Sequence, residues 1–374
     1  MSLPTGIVWV GHVYDIGGYG NVSRNYLRML KKLEIPVHIH FIGAVHEEIG
    51  KDDLEFIQSI NRPINQLGSD PFLIIHSTPE IFSTYKDLYT FRKKIGITIF
   101  ETDRIPTHWV GLCNSMDEIW VPSKFNYKTF AQSGVEESKI RIIPYGIDTE
   151  NLNHVINSYS FPEEAKSFSF LYTFQFDYRK GIDLLIKSYC EEFTSKDDVS
   201  LTLKVYAYDE KIEIEKIIRS YIPIRNNLPR IYIISNKLPR DELLSLYSSC
   251  SCYISTDRAC GWGMPQMEMM VMGKPVITIN WGGSTEFTNE NNAILIQPLD
   301  ELESVDKSLE ISRPLLYSGH KWAKVSEENV RKALRFAFEN QEKGYELGQK
   351  AKEDINKNYS IDEIAKVLKI NLSI

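Results

Sequence analysis

The sequence predicts an α/β protein of two domains, each built on a parallel sheet with helices on both faces. Three observations carry this reading. The chain has 374 residues, more than a single hydrophobic core usually spans. Short apolar runs alternate with helix-like segments, the pattern of strands buried on both faces. That alternation fades after Tyr145-Gly146-Ile147-Asp148 and then restarts.

In the first half, GIVWVGHV is a strand, DIGGYG a loop, and NVSRNYLRMLKKL a helix with Val22, Tyr26, Leu30 and Leu33 at helical spacing. Further strands are expected at PVHIHFIG, PFLIIHS, GITIFET, EIWVPS and KIRIIPYG, with helices such as DDLEFIQSI and FNYKTFAQSG between them. The stretch NLNHVINSYSFPEEAKS is the expected linker. The second half gives FSFLYTFQF, GIDLLIKSYCEEF, SLTLKVYAY, a helix around EKIEIEKIIRSYI, RIYIIS, DELLSLYSSC, CYIST, a glycine-rich loop and helix, PVITINW and AILIQP. From about Lys321 onward the spacing is helical and no strand is expected. Two such domains facing each other would bring the carboxyl ends of both sheets to one cleft, where open α/β sheets bind ligands.

The composition, 43% hydrophobic and 25% charged, is that of a globular chain, and a formal net charge of -7 argues against a nucleic-acid footprint. Neither a basic-then-apolar leader nor a membrane-length apolar window is present, so a cytoplasmic location is expected. Arg24, Arg28, Lys31 and Lys32 on the first helix, with Arg92 to Lys94, leave open a peripheral contact with anionic lipid at the inner membrane face. A solvated helix face is the plainer reading. The five scattered cysteines show no metal or disulfide spacing, so reduced thiols and no bound metal are expected.

The loops carry the chemistry. DRACGWGMPQMEMMVMGKP, Asp257 to Pro275, follows a strand; Pro265 opens its helix and Gly273 closes it. Gly261 and Gly263 let a ligand approach the backbone, and the helix N-terminus favours an anion. Glu268, one turn in, is placed to accept hydrogen bonds from a diol such as a ribose. In FDYRKGIDLLI, Arg179 and Lys180 sit at a helix mouth, suited to a diphosphate. NWGGSTEF repeats the glycine-rich theme with Ser284. One ligand satisfies all these loops: a nucleotide, its base against an apolar loop at Asn236 to Leu238. Gly17-Gly18-Tyr19-Gly20 occupies the place of a dinucleotide fingerprint, but Ser23 stands where its third glycine or alanine should be, and the next strand ends in Gly43 rather than an acid. Gly18 and Tyr19 are instead expected to face the donor's phosphates or an acceptor.

GGYGNVSR, WVPSKFN, IIPYGID, RKGIDLLI, GWGMPQMEMMVMGKPVI and GGSTEF together resemble the retaining GT-B glycosyltransferases of the group 1 family, which includes sucrose and bacterial mannosyl and glucosyl transferases. The resemblance runs nearly end to end. It implies the GT-B fold, with an N-terminal Rossmann-like acceptor domain at 1–155, joined by a helix at about 358–374 crossing back, and a donor domain at 156–357. It implies transfer of a hexose, with retained anomeric configuration, from a nucleotide-diphosphate sugar to a glycan, lipid-linked or small-molecule acceptor. No cofactor or metal is required. The donor site would comprise Gly18, Tyr19, Asn236, Leu238, Cys260, Gly261, Trp262, Gly263, Met264 and Glu268. Lys180, with adjacent Arg179 in place of the family's more distant arginine, would oppose the phosphate charge. Glu101 replaces the histidine many relatives carry near the donor sugar and is the candidate for positioning sugar or acceptor. His76 is read as a core histidine. The family's first donor-site glutamate falls on Cys260, a thiol that cannot serve as a carboxylate does; the nearby Asp257 or the loop amides are the expected substitutes. An epimerase or hydrolase on the same fold, a non-catalytic sugar-nucleotide binder and an NAD-dependent oxidoreductase are the alternatives.

Overall fold

The computed structural model describes residues 3–46, 49–87, 90–153, 158–161, 166–207 and 211–373. The chain divides into two compact units, Met1–Thr149 together with Asn356–Ile374, and Glu150–Ile355. Part of the expected linker, 154–157 and 162–165, lies outside the described residues, as do Tyr208 to Glu210.

The sheet of the first unit contains β1 (Ile7–Gly11), β2 (Val37–Phe41), β3 (Phe72–His76), β4 (Lys93–Ile97), β5 (Glu118–Val121) and β6 (Ile140–Ile142), all parallel, in the order β2-β1-β3-β4-β5-β6. Every residue of β1 and β3 is buried, as sandwiching between helices requires. The helix Gly18–Lys32 packs Val22, Tyr26 and Leu30 inward, with the Tyr26 ring 5.5 Å from that of Trp9. Ser123 caps the helix Lys124–Ser133 by accepting from the Asn126 amide, and Gly134, at φ 109°, ends it.

The helix Ile361–Leu372 belongs to this unit. Ile147 donates its amide to Tyr359 and accepts from Ile361, and the helix lies against Gly18–Lys32, where a Cβ on Gly146 would stand 3.3 Å from both Ile364 and Met29.

The second unit contains β7 (Phe168–Gln175), β8 (Val199–Tyr206), β9 (Arg230–Ile234), β10 (Cys252–Ser255), β11 (Val276–Ile279) and β12 (Ile294–Ile296), again all parallel, in the order β12-β11-β10-β7-β8-β9. The chain winds one way from β7 and the other way from β10, so the switch point lies between these neighbouring strands, and ligand sites of open α/β sheets form beyond the carboxyl ends at such a point. On one face, Phe168, Phe170 and Phe193 pack with Phe338 of the helix Glu327–Glu339.

Two expectations are corrected. β4 covers Lys93–Ile97 rather than the run GITIFET; Thr98 to Glu101 continue beyond it as a loop, pinned where Asn126 donates to the Phe100 carbonyl. The segment after Lys321 does contain a strand: β13 (Leu302–Ser304) and β14 (Lys321–Ala323) form an antiparallel ribbon, stabilised by buried Trp322, whose ring nitrogen donates to Glu303. Three of the four cations of the first helix pair with acids of the same unit, and Lys31 and Lys32 are exposed. Arg24 is 4% exposed and pairs with Asp53, Arg28 pairs with Asp53 and Asp148, and Lys32 pairs with Asp362. Arg92 and Lys93 are likewise paired, with Asp70 and Glu118. No helix among the described residues is long and apolar enough to cross a membrane.

Candidate functional site

The loops after β7, β10 and β11 are joined through their backbones. Arg258 donates its amide to the Arg179 carbonyl at 2.8 Å, and Gly283 donates to Cys260 at 2.7 Å. The contact is close enough to demand glycine: a Cβ on Gly283 would lie 1.6 Å from the Gly261 oxygen, and one on Gly181, at φ 62°, would lie 2.2 Å from the Thr256 oxygen. The sequence glycines therefore shape the carboxyl edge of β7, β10 and β11 as one surface.

Lys180 and Arg179 stand on that surface. The Lys180 ammonium donates to Asp257 at 3.0 Å, and the Tyr172 hydroxyl donates to the same carboxylate. The Arg179 guanidinium donates to the Ala259 carbonyl at 3.2 Å. Asp177 accepts from the Arg179 amide and from Arg313, which holds the loop on its far side. Asp257, an expected substitute for the carboxylate missing at Cys260, is thus already engaged with Lys180.

The two helix N-termini differ. That of Ile182–Glu192, expected to offer free amides beside Arg179 and Lys180, is occupied by its own Asp183. Burial opposes ionisation of that acid, but Arg258 and the amides of Asp183 and Leu184 hold its pKa below the usual carboxylate range, and Arg258 meets it through two contacts of 2.8 Å. The helix Met264–Val271 has no acid in its first turn. Among the described residues, nothing accepts from the amides of Gly261, Gly263 or Met264. This is the N-terminus that retains anion-binding capacity. Gly263, at φ 104°, precedes the helix, Pro265 sits in its first turn, and Gly273, at φ 73°, ends it.

Glu268 is 3% exposed and one of its oxygens accepts from Arg240 at 2.6 Å; its other oxygen has no partner among the described residues. Arg240 opens the helix Arg240–Ser249, so the loop containing exposed Asn236 and buried Leu238 is tied to Glu268. Sequence reasoning missed this arginine, although a cation just beyond a strand-end loop was the available signal. The Cys260 thiol lies 4.0 Å from the Gln266 side-chain oxygen, and burial, then the Asp257 charge, pushes its pKa up to about 12. It is not a thiolate at neutral pH. Trp262 is buried against Phe287, and Ser284 is 1% exposed with no partner for its hydroxyl among the described residues.

The remaining expected residues belong to the first unit. Gly18 is exposed and a Cβ there would meet nothing within 4 Å, whereas one on Gly20 would lie 1.8 Å from the Asp15 oxygen. Gly20 is the glycine that the turn requires. Tyr19 packs between His12 and His76, at 5.5 and 5.1 Å; burial, then Glu101, raises its pKa. Glu101 and Tyr19 are thus brought together. His76 is a core histidine, accepted or donated to by Ser23 at 2.8 Å, and burial lowers its pKa to about 3.

Residues 167–313 match the family model described as glycosyl transferases group 1. Over that segment the chain is similar to group 1 glycosyltransferases. An uncharacterized glycosyltransferase of Methanocaldococcus jannaschii is 27% identical over 157 residues, 42% of this chain and 38% of that protein; the matched stretch thus spans well under half of the curated relative. Among solved structures, Anabaena HepE in complex with UDP and glucose superposes with a TM-score of 0.69 at 14% identity, covering 98% of this chain and 99% of that one. Sucrose-phosphate synthase from Thermosynechococcus elongatus gives 0.68 at 14% identity, covering 98% of each. The fold is GT-B, with two α/β domains on parallel six-stranded sheets. The matched glycosyltransferase segment includes Arg179, Lys180, Cys260 to Met264 and Glu268.

Proposed function

We propose that the protein is a retaining, metal-independent glycosyltransferase that moves a hexose from a nucleotide-diphosphate sugar to an acceptor hydroxyl. The observation that carries the reading is the convergence, at the β7/β10 switch point, of Lys180, Arg179 and the amides of Gly261, Gly263 and Met264, which no described residue engages, with Glu268 one helical turn away. Cations and oriented amides oppose the charge that develops on a departing diphosphate, and the open Glu268 oxygen accepts from a ribose hydroxyl. UDP-containing complexes of structural neighbours such as HepE are consistent with such a donor.

In a front-face displacement, the bond from the anomeric carbon to the diphosphate oxygen breaks with its electrons leaving on the diphosphate. The acceptor oxygen bonds to the same face, and its proton passes to the departing phosphate. Lys180 then shifts from Asp257 toward the phosphates, and Asp257 remains held by Tyr172. Glu101 is the candidate for positioning sugar or acceptor.

The test is a thermal-shift panel of UDP, GDP, ADP and dTDP sugars, since a ligand bound only to the native state raises the melting temperature, followed by nuclear magnetic resonance of the product anomer. Stabilisation by one nucleotide family, donor turnover that needs an acceptor, and a retained anomer are expected. No stabilisation by any donor defeats the reading; an inverted product defeats its stereochemical part.

A further inference from the structure

β8 reads VSLTLKVY, and its single cation, Lys204, is 4% exposed. A buried ammonium is costly unless something pairs with it. Among the described residues, no carboxylate or other hydrogen-bond acceptor reaches the Lys204 amine; its described neighbour is the Tyr206 ring, 5.8 Å away. Burial alone brings its pKa down to about 8. With no partner among the described residues, attention turns to an external one.

The position of Lys204 indicates which. It is in register with Thr173 of β7 and with Ile234, the last residue of β9, so it lies level with the strand end that leads into the Asn236 to Leu238 loop. Tyr206, next on its face, continues toward the carboxyl end. Thr173, beside it, also neighbours the Tyr247 hydroxyl, which senses the charges of Glu268 and Arg240. Lys204 is therefore on the sheet face that carries Glu268 and Arg240, one strand outward from the loop of Arg179 and Lys180. A nucleotide with its diphosphate over β10 and β7 and its ribose at Glu268 extends its base over β8 and β9.

We propose that Lys204 reads the base of the donor nucleotide, donating to a ring carbonyl and so selecting keto bases, uracil or guanine, over the amino bases cytosine and adenine. The inference rests on the donor-site reading above. An ammonium has three donors and no acceptor. It complements uracil O4 or guanine O6, whereas an exocyclic amine presents a second donor and leaves both groups unpaired in a buried setting.

Isothermal titration of UDP, CDP, GDP and ADP into the full chain, and into Lys204→Met and Lys180→Ala, tests this with bases matched in ring size. Wild type is expected to bind UDP at least about ten-fold tighter than CDP, and GDP at least about ten-fold tighter than ADP. Lys204→Met should bring both ratios to about two-fold or less, while Lys180→Ala weakens all the diphosphates alike. Lys204→Gln, whose amide both donates and accepts, should shrink the ratios if the Met variant does not fold. Matched pairs that bind equally to wild type, or ratios unchanged in a folded Lys204 variant, overturn the Lys204 assignment and leave the donor site standing. If none of the four binds wild type, the donor-site reading falls and the assignment falls with it.

Discussion

At the switch point of the first sheet, between β1 and β3, imidazole, phenol and hydroxyl groups hold one another: Ser23 with His76 at 2.8 Å, His12 with Ser77 at 3.2 Å, and the Tyr19 ring between the two histidines. At that of the second, between β7 and β10, charges sit beside amides with no acceptor among the described residues, and Lys180 rests on Asp257 at 3.0 Å. Both sheets are parallel, six-stranded and doubly wound. The topology creates the opening in each case, and the residue types at the strand ends determine its use. Groups that satisfy one another contribute to stability, whereas groups left unspent contribute to binding.

That contrast can be broken most sharply at Lys180. Lys180→Ala should lower donor turnover by roughly 10²–10³-fold with little change in melting temperature; a loss of less than about three-fold would show that the second switch point is not the reacting one. Gly283→Ala forces a Cβ to within 1.6 Å of the Gly261 oxygen and should cost about 3 kcal/mol in urea unfolding together with most of the donor affinity. An unperturbed variant would mean that the joined loops are not the framework inferred here.

Lys204→Met should act in the opposite sense, stabilising the ligand-free protein by roughly 1–3 kcal/mol at pH 7. The native amine has a pKa of about 8, below the unfolded value near 10.4. Wild-type stability is therefore depressed below pH 8 and recovers as pH rises toward about 10. The advantage of the Met variant should shrink over that window. A pH-independent advantage would assign it to packing instead.

In the first unit, His76 is held neutral with a pKa of about 3. Its contribution is complete above about pH 6.5 and is lost below, at up to about 1.4 kcal/mol per pH unit. His76→Asn should flatten the fall in urea midpoint between pH 6.5 and 5, while His12, whose pKa burial also lowers against the opposing effect of Asp15, keeps its own share. An identical slope in both proteins would remove His76 from the acid response. The smallest effect is expected at Cys260: Cys260→Ala should change turnover by no more than about two-fold, and iodoacetamide should leave the native thiol unlabelled, because burial keeps it protonated. Rapid labelling or a large loss of turnover would mark it as an active group.

The alternating buried runs were legible because strands covered on both faces read as continuous apolar segments, and most strands lie where those runs predict. β4 was misplaced because Ile97 and Phe100 are equally buried in strand and loop, and burial alone does not distinguish a ladder from a loop tied by one Asn126 side chain. The three-residue strands β13 and β14 are too short to show a period. At the site, glycines and cations at strand ends were visible locally. The Arg240–Glu268 pair, 28 residues apart, and the pairing of Asp183 with Arg258 75 residues away depend on where the strands stack. So does the lack of a partner for Lys204 among the described residues; from sequence it is only a polar interruption in an apolar strand.

The hydrogen bonds that tie Ile147 to Tyr359 and Ile361 have a bearing on biosynthesis. Residues Glu150–Ile355 are inserted within the first unit, whose last portion is Asn356–Ile374. A ribosome therefore delivers the whole second unit before the first can close. During that interval the side of Gly18–Lys32 that later meets Ile361–Leu372 is without its cover, whereas the second unit already has its complete sequence.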